Sequence, residues 1–185
     1  MSAIGVDGPR RVIVVGCQGS GKTTLALALG RTLRLPVVHL DVLYWRPGWK
    51  ESDTPSFRTR VADVIAQAGW IVDGSFSGLA FDLTLAQADL LIVIERPRWL
   101  CLWRVLWRSA FARGGGRPDL PVGCPEQFDR LLLREVWRYA IDRAPCIEAE
   151  RLQFRPDVPV VRLRSDREIA AFLNAGVVSL SSPAT

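Results

Sequence analysis

Apolar residues along the chain fall into two alternating patterns. Short continuous runs rich in β-branched residues, RVIVVG (11–16), PVVHL (36–40), GWIVDG (69–74), DLLIVIE (89–95) and VPVVRLR (158–164), predict five strands buried on both faces. The stretches between them have helical spacing. KTTLALALGRTLRL follows the first run, and Val61, Val64, Ile65 and Ala68 mark one face of a helix expected to open with Thr54 as N-cap and Pro55 at its first position. Ser165 and Glu168 have the spacing of a capping box and start a last helix through IAAFL. Apolar strands alternating with helices predict a three-layer α/β/α fold around a five-stranded parallel sheet.

One segment stands apart. Across LCLWRVLWRSAFARGGGRPD (100–119) and the residue before it, Trp99, Trp103, Trp107 and Phe111 recur every four positions, so on a helix they form one stripe. Arg104 and Arg108 follow one position later, about 100° around the helix. The pattern predicts an amphipathic helix whose tryptophans pack inward.

Composition narrows the class only a little. A chain of 185 residues, 49% hydrophobic and 23% charged, suits one substantial core, expected over residues 1–176 with a disordered tail at 177–185. The N-terminus lacks the form of a signal peptide, and no apolar run approaches the ~20 residues of a membrane span, so the expected location is the cytoplasm. Cys17, Cys101, Cys124 and Cys146 share no metal-ligand spacing with the single histidine, His39, and are expected to be reduced thiols. The net charge of +5 is uneven, because residues 96–118 hold six arginines and no acid. Such a cluster suits nucleic acid, acidic lipid or a polyphosphate.

GCQGSGKT (16–23) decides among the classes. It fits the phosphate-binding pattern G-x-x-x-x-G-K-[ST] through Gly16, Gly21, Lys22 and Thr23, and it lies between a strand and a helix as a P-loop must. Glycines let backbone N–H groups turn toward phosphate oxygens, and the helix N-terminus adds partial positive charge. The expected nucleotide contacts are Gly16, Cys17, Gln18, Gly19, Ser20, Gly21, Lys22, Thr23 and Thr24, with Lys22 on the terminal phosphates and the Thr23 hydroxyl on Mg²⁺. Only Lys22 and Lys50 of the 24 basic residues are lysines, so a compact ammonium stands where the cradle needs one.

Ligands of open parallel sheets meet the carboxyl ends of the strands, where Asp41, Asp73 and Glu95 stand. Asp73, an acid after a hydrophobic run, is the expected partner of Thr23 in the Mg²⁺ shell; Asp41 is assigned to the acceptor, as a base or a hydroxyl ligand. Glu95 is read as capping a turn, and His39 as a packed core histidine. Tyr44, Trp45, Arg46 and Trp49 form an aromatic and cationic wall suited to a compact acceptor, such as a nucleoside or a small phosphorylated or hydroxylated metabolite.

GCQGSGKTTLA, VVHLDVLYWRPGW, WIVDGSF, ERPRWLCLWRVLWR and RPDLPVGCPE together resemble the bacterial DNA topology modulation proteins over residues 11–172. These are similar to adenylate-kinase-type P-loop proteins. The resemblance implies a sheet order of 2-3-1-4-5 and an arginine-rich lid, about residues 98–125, after the fourth strand. One position departs: Thr84 stands where the family tends to carry an arginine. The lid explains the tryptophan-arginine segment better than a membrane or nucleic-acid surface does. Arg104, Arg108, Arg113 and Arg117 would face the phosphates, Gly114, Gly115 and Gly116 would hinge the lid, and Arg164 would join the nucleotide contacts.

The chain is therefore expected to be an ATP- and Mg²⁺-dependent kinase of a small-molecule or nucleoside acceptor, with Lys22, Asp41, Asp73, Arg104 and Arg108 carrying catalysis. The rival is a DNA-associated regulatory protein using ATP as a switch, and a plain NTPase is the third alternative. Arg130, Arg134 and Arg138, spaced four apart, are expected to be a solvated helix face.

Overall fold

A computed structural model of the chain describes residues 8–111, 121–124 and 130–175. In chain order its strands are β1 (Arg11–Gly16), β2 (Val37–His39), β3 (Trp45–Arg46), β4 (Lys50–Glu51), β5 (Trp70–Asp73), β6 (Leu90–Ile94) and β7 (Val160–Leu163). Its helices are α1 (Lys22–Leu33), α2 (Leu40–Tyr44), α3 (Thr54–Ile65), α4 (Phe81–Gln87), α5 (Arg98–Phe111), α6 (Arg130–Asp142), α7 (Ala144–Phe154) and α8 (Asp166–Ala175).

Five strands form one parallel sheet in the order β2-β5-β1-β6-β7. That is the expected 2-3-1-4-5 order, since β3 and β4 lie apart as a two-stranded antiparallel hairpin. Successive β1 residues point to opposite faces, and each face has its own apolar layer. Ile13 and Val15 pack with Leu40, Phe57, Val61 and Phe81, whereas Val12 and Val14 pack with Leu25, Leu29, Ile92 and Leu163. Trp70 is wholly buried, and its indole N–H donates to the Ile65 carbonyl at 3.1 Å, so a large ring enters the core without an unmet donor.

Local signals hold with two corrections. Thr54 is the first helical residue of α3, not its cap; the Asp53 carboxylate caps it by accepting from the Ser56 N–H at 2.9 Å. Ala68 lies beyond that helix. At α8 the capping box forms, with the Glu168 N–H donating to Ser165 Oγ at 3.1 Å.

The larger correction concerns α5. Its tryptophans do not pack inward: Trp99, Trp103 and Trp107 are 65%, 57% and 53% exposed, while Cys101 and Val105 are buried. Cys101 and Val105 form a small apolar cluster with Cys17 of the P-loop and Val136 of α6. The stripe that packs is thus the small one, because a backbone, that of the P-loop, approaches α5 too closely for an indole. Arg113, Gly114, Gly115, Gly116 and Arg117 of the expected lid lie outside the described residues, as does the tail 177–185. Of the segment between, residues 121–124 dock on the hairpin loop: the Gly48 N–H donates to the Gly123 carbonyl at 2.9 Å, and Cys124 Sγ donates to the Arg46 carbonyl at 3.1 Å. Arg130, Arg134 and Arg138 are exposed on α6, where Arg138 pairs with Asp142 at 2.7 Å. No described helix is long and apolar enough to cross a membrane.

Candidate phosphate-binding site

The loop between β1 and α1 is shaped for an anion. Gly19 and Gly21 adopt positive φ values of 79° and 98°, which turn the peptide N–H groups toward one side of the loop ahead of α1. The loop is closed by the Ser20 N–H donating to the Cys17 carbonyl at 3.0 Å, and the Leu25 N–H bonds the Gly21 carbonyl as the helix begins. Gly16, Gln18, Gly19 and Gly21 are partly buried and Thr24 is exposed, whereas Ser20 is wholly buried with its hydroxyl making no hydrogen bond.

Asp73, at the end of β5, lies beneath this loop because β5 pairs with β1 in register, Val14 opposite Asp73. Its Oδ2 accepts from the Thr23 hydroxyl at 2.7 Å and from His39 at 3.0 Å, and Lys22 Nζ lies 4.0 Å from Oδ1. Burial pushes the Asp73 carboxyl upward, but the Lys22 charge and the hydrogen bonds from His39 and Thr23 outweigh it and hold it below the usual carboxylate range. An ionised carboxylate only accepts, so His39 must carry its hydrogen on Nδ1. Oδ1 is buried and makes no hydrogen bond.

These residues fit Mg²⁺ and a nucleotide. Mg²⁺ takes oxygen ligands, few of them from protein, with phosphates and waters supplying the rest. The Thr23 hydroxyl and the Asp73 carboxylate are such a pair, with the unsatisfied Oδ1 available. Among the described residues there is no group of three or more acidic, histidine or cysteine side chains able to hold a metal by themselves.

His39 is the residue that sequence reasoning missed. It ends β2 directly opposite Asp73 across the β2–β5 pair and is buried. It acts as a positioning residue, fixing the Asp73 carboxylate. If Asp73 serves a phosphotransferase as a metal ligand, replacing His39 with alanine is expected to lower turnover about 10- to 100-fold. His39→Asn, which keeps an N–H near the Nδ1 position, is expected to recover part of that loss in the same steady-state assay.

Acid titration gives a second expectation. With its carboxyl lowered by folding, Asp73 contributes stability that is complete above its unfolded value near ~3.9 and is lost as pH falls through the lower folded value. Chemical denaturation of wild type from pH 6 downward should show this acid-side loss, and Asp73→Asn should flatten it.

Arginines ring the site unequally. Arg104 Nη1 lies 3.9 Å from where a Cβ on Gly21 would stand, and its Nη2 pairs with Asp166 at 3.2 Å. Arg108 is partly buried one turn further along α5. Arg96, not expected from sequence, is 4% exposed; it donates to the Arg164 carbonyl at 3.2 Å and pairs with Asp166, joining the end of β6 to α8. Arg164 itself is exposed and held by Glu95 at 2.9 Å. Glu95 also binds Arg162 at 2.7 Å, so it is an ion-pair partner and not merely a turn cap. Arg113 lies outside the described residues.

On the acceptor side, Asp41 is partly buried in the first turn of α2. Tyr44 is buried, edge-on to Trp45 and Phe57 and tilted against Phe76, so it backs the wall and does not face outward. Trp45 and Trp49 meet edge-to-face at 5.6 Å across the hairpin. Trp49 has φ of +58°, a costly conformation for a bulky residue. Arg46 is exposed beside Asp53. Thr84 is wholly buried with its hydroxyl donating to the Phe81 carbonyl, so it does not reach the site. Two residues before it, Asp82 binds both terminal nitrogens of Arg58 of α3 at 2.7 and 2.8 Å.

No family model matches the chain, and no curated protein matches it. Solved structures do. A gluconokinase from Sinorhizobium meliloti 1021 aligns over 94% of both chains at 15% identity with a TM-score of 0.56. A shikimate kinase from Acinetobacter baumannii in complex with shikimate aligns over 94% of this chain and 96% of its own at 18% identity, TM-score 0.55. A shikimate kinase from Bacteroides thetaiotaomicron aligns over 90% and 96% at 16% identity, TM-score 0.51. At these identities the likeness establishes architecture: the chain has the P-loop kinase fold.

Proposed function

We propose that the protein is an ATP- and Mg²⁺-dependent phosphotransferase of the cytoplasm, acting on a small-molecule, nucleoside or nucleotide acceptor. The observation that carries this reading is the Asp73 carboxylate, ionised beneath the P-loop, bound to Thr23 and His39 and facing Lys22. The names of the structural neighbours, kinases of small molecules, support it.

In this reading residues 16–24 hold the phosphates through their N–H groups, and Lys22 carries charge to the phosphate being transferred. Thr23 and Asp73 hold Mg²⁺, which, when bound, neutralises charge on the phosphates. Arg104, turned toward the loop from α5, and Arg108, one turn further along that helix, stabilise charge that spreads in the transition state, with Arg113 and Arg164 as further contacts. Asp41 orients or deprotonates the acceptor hydroxyl, and Trp45, Arg46 and Trp49, backed by Tyr44, form the wall against which the acceptor lies. The test is release of ADP from Mg·ATP with a panel of nucleosides, nucleotides, sugar acids and other hydroxylated metabolites. One acceptor should raise the rate well above that with water; a flat panel would leave only an NTPase.

A second reading follows from the resemblance to DNA topology modulation proteins. It is favoured by the exposure of Trp99, Trp103 and Trp107, since bases stack on exposed aromatic faces beside arginines. It expects DNA to bind with a steep salt dependence that weakens when Trp103 and Trp107 are replaced by serine. Absence of any mobility shift at low salt sets it aside.

A further inference from the structure

Two of the four cysteines meet where the P-loop touches α5. Cys17 is the second residue of the P-loop and Cys101 lies in the first turn of α5; they are 6% and 0% exposed. They share one apolar cluster with Val105 and Val136, the two sulfur-bearing side chains packed side by side between the P-loop and α5. Cys17 Sγ also faces the Val136 carbonyl at 3.6 Å. The backbones are close as well, for a Cβ on Gly19 would stand 3.2 Å from Cys101 Cα. Cys124 and Cys146 are engaged elsewhere, on the Arg46 and Asp142 carbonyls.

We infer that Cys17 and Cys101 form a reversible disulfide under a hydroperoxide, tying the phosphate loop to α5 and weakening nucleotide binding. Cys101 is the attacking sulfur. The adjoining Cys17 thiol and the charges of Arg104 and Arg96 hold its thiol low despite burial, whereas the adjoining Cys101 thiol and burial push Cys17 up. The Cys101 thiolate attacks the terminal peroxide oxygen, the O–O bond breaks, and the other oxygen takes the proton given up by the Cys101 thiol and leaves as water, or as alcohol from an organic hydroperoxide, which gives a sulfenic acid. The Cys17 sulfur then attacks the Cys101 sulfur; the S–O bond breaks and a second water leaves with the Cys17 proton. Two thiols and one hydroperoxide thus yield one disulfide, one water and one water or alcohol. Drawing the sulfurs in to about 2 Å pulls the start of the P-loop toward α5. The cradle depends on the backbone of residues 17–21 keeping its turn, which the Ser20 N–H to Cys17 carbonyl bond closes at 3.0 Å, so its affinity falls.

The nucleotide half of this inference rests on the reading of the site given above; the disulfide does not. The experiment treats the full chain with hydrogen peroxide, maps peptides without reduction and titrates ADP before and after dithiothreitol. Expected are a peptide pair joined through Cys17 and Cys101, an ADP Kd raised about tenfold and restoration by dithiothreitol. Cys146, exposed, reports that oxidant was delivered. Oxidised Cys146 without a Cys17–Cys101 link overturns the inference, and so does a link that leaves ADP affinity unchanged. Cys101→Ala should bind ADP and lose peroxide sensitivity; the peptide map of wild type decides the linkage even if that variant folds poorly. Should reduced wild type bind no nucleotide, the nucleotide reading fails, the regulatory half falls with it, and the mass map alone decides the linkage.

Discussion

Lys22→Ala is expected to lower kcat/KM for acceptor-dependent ADP release by about 10³-fold, the order lost when one preorganised charge or donor is taken from developing oxyanions. The geometry sets the reason. Lys22 is partly buried at the first position of α1, with its ammonium 4.0 Å from Asp73 Oδ1, so it lies between the loop that would hold phosphates and the carboxylate that would hold metal. Arginine should not rescue it, because a planar fork does not fit where a compact ammonium stands and would be drawn onto Asp73. A second readout separates lost chemistry from lost folding. Lys22 is the main charge holding the Asp73 carboxyl low, so Lys22→Ala should move the acid limb of the stability curve to higher pH while leaving neutral-pH folding cooperative. Full activity in Lys22→Ala, with the acid limb moved, would sink the phosphotransferase reading without touching the structural account.

What could be read in advance follows from which interactions are local. The P-loop is a contiguous string whose glycines are demanded by its own backbone, and the Ser165–Glu168 cap spans one turn, so both were legible. Asp73 was legible because the end of a buried strand is marked by the polar residue that stops it. His39 was not. Its partner is 34 positions away, and only the pairing of β2 with β5, in a register that sets His39 opposite Asp73, brings them together. A lone histidine in an apolar run looks the same whether its ring meets a carbonyl or a buried carboxylate.

The tryptophans of α5 failed for a related reason. A repeat of four identifies a stripe but not its direction, and the usual inference that the largest apolar stripe faces the core assumes a side-chain layer opposite it. Opposite α5 is the P-loop backbone, which admits Cys101 and Val105 and leaves Trp99, Trp103 and Trp107 largely exposed. Arg104 is carried toward Gly21 by the same rotation, so the outward tryptophans and the place of Arg104 beside the loop have one cause.

That close approach makes Gly19→Ala the most damaging glycine-to-alanine substitution expected among the described residues. A Cβ there would stand 2.5 Å from the Cys101 carbonyl oxygen, a backbone atom that cannot swing aside as a side-chain end would. The residue also has φ of +79°, which costs an alanine about 1 kcal/mol by itself. Either the P-loop or α5 must shift, and the sum should reach about 3 kcal/mol, or roughly 10 °C in Tm for a chain of this size. Gly48 separates the two contributions. It has almost the same φ, +78°, but a Cβ there meets nothing within 4 Å, so Gly48→Ala carries the backbone cost without the clash. Denaturant titrations of both variants should therefore differ by about 2 kcal/mol, and ADP affinity should fall for Gly19→Ala alone. Equal losses in the two would mean that α5 does not lie against the P-loop. The outward tryptophans, the inward Arg104 and the Cys17–Cys101 contact all depend on that packing and would fall with it.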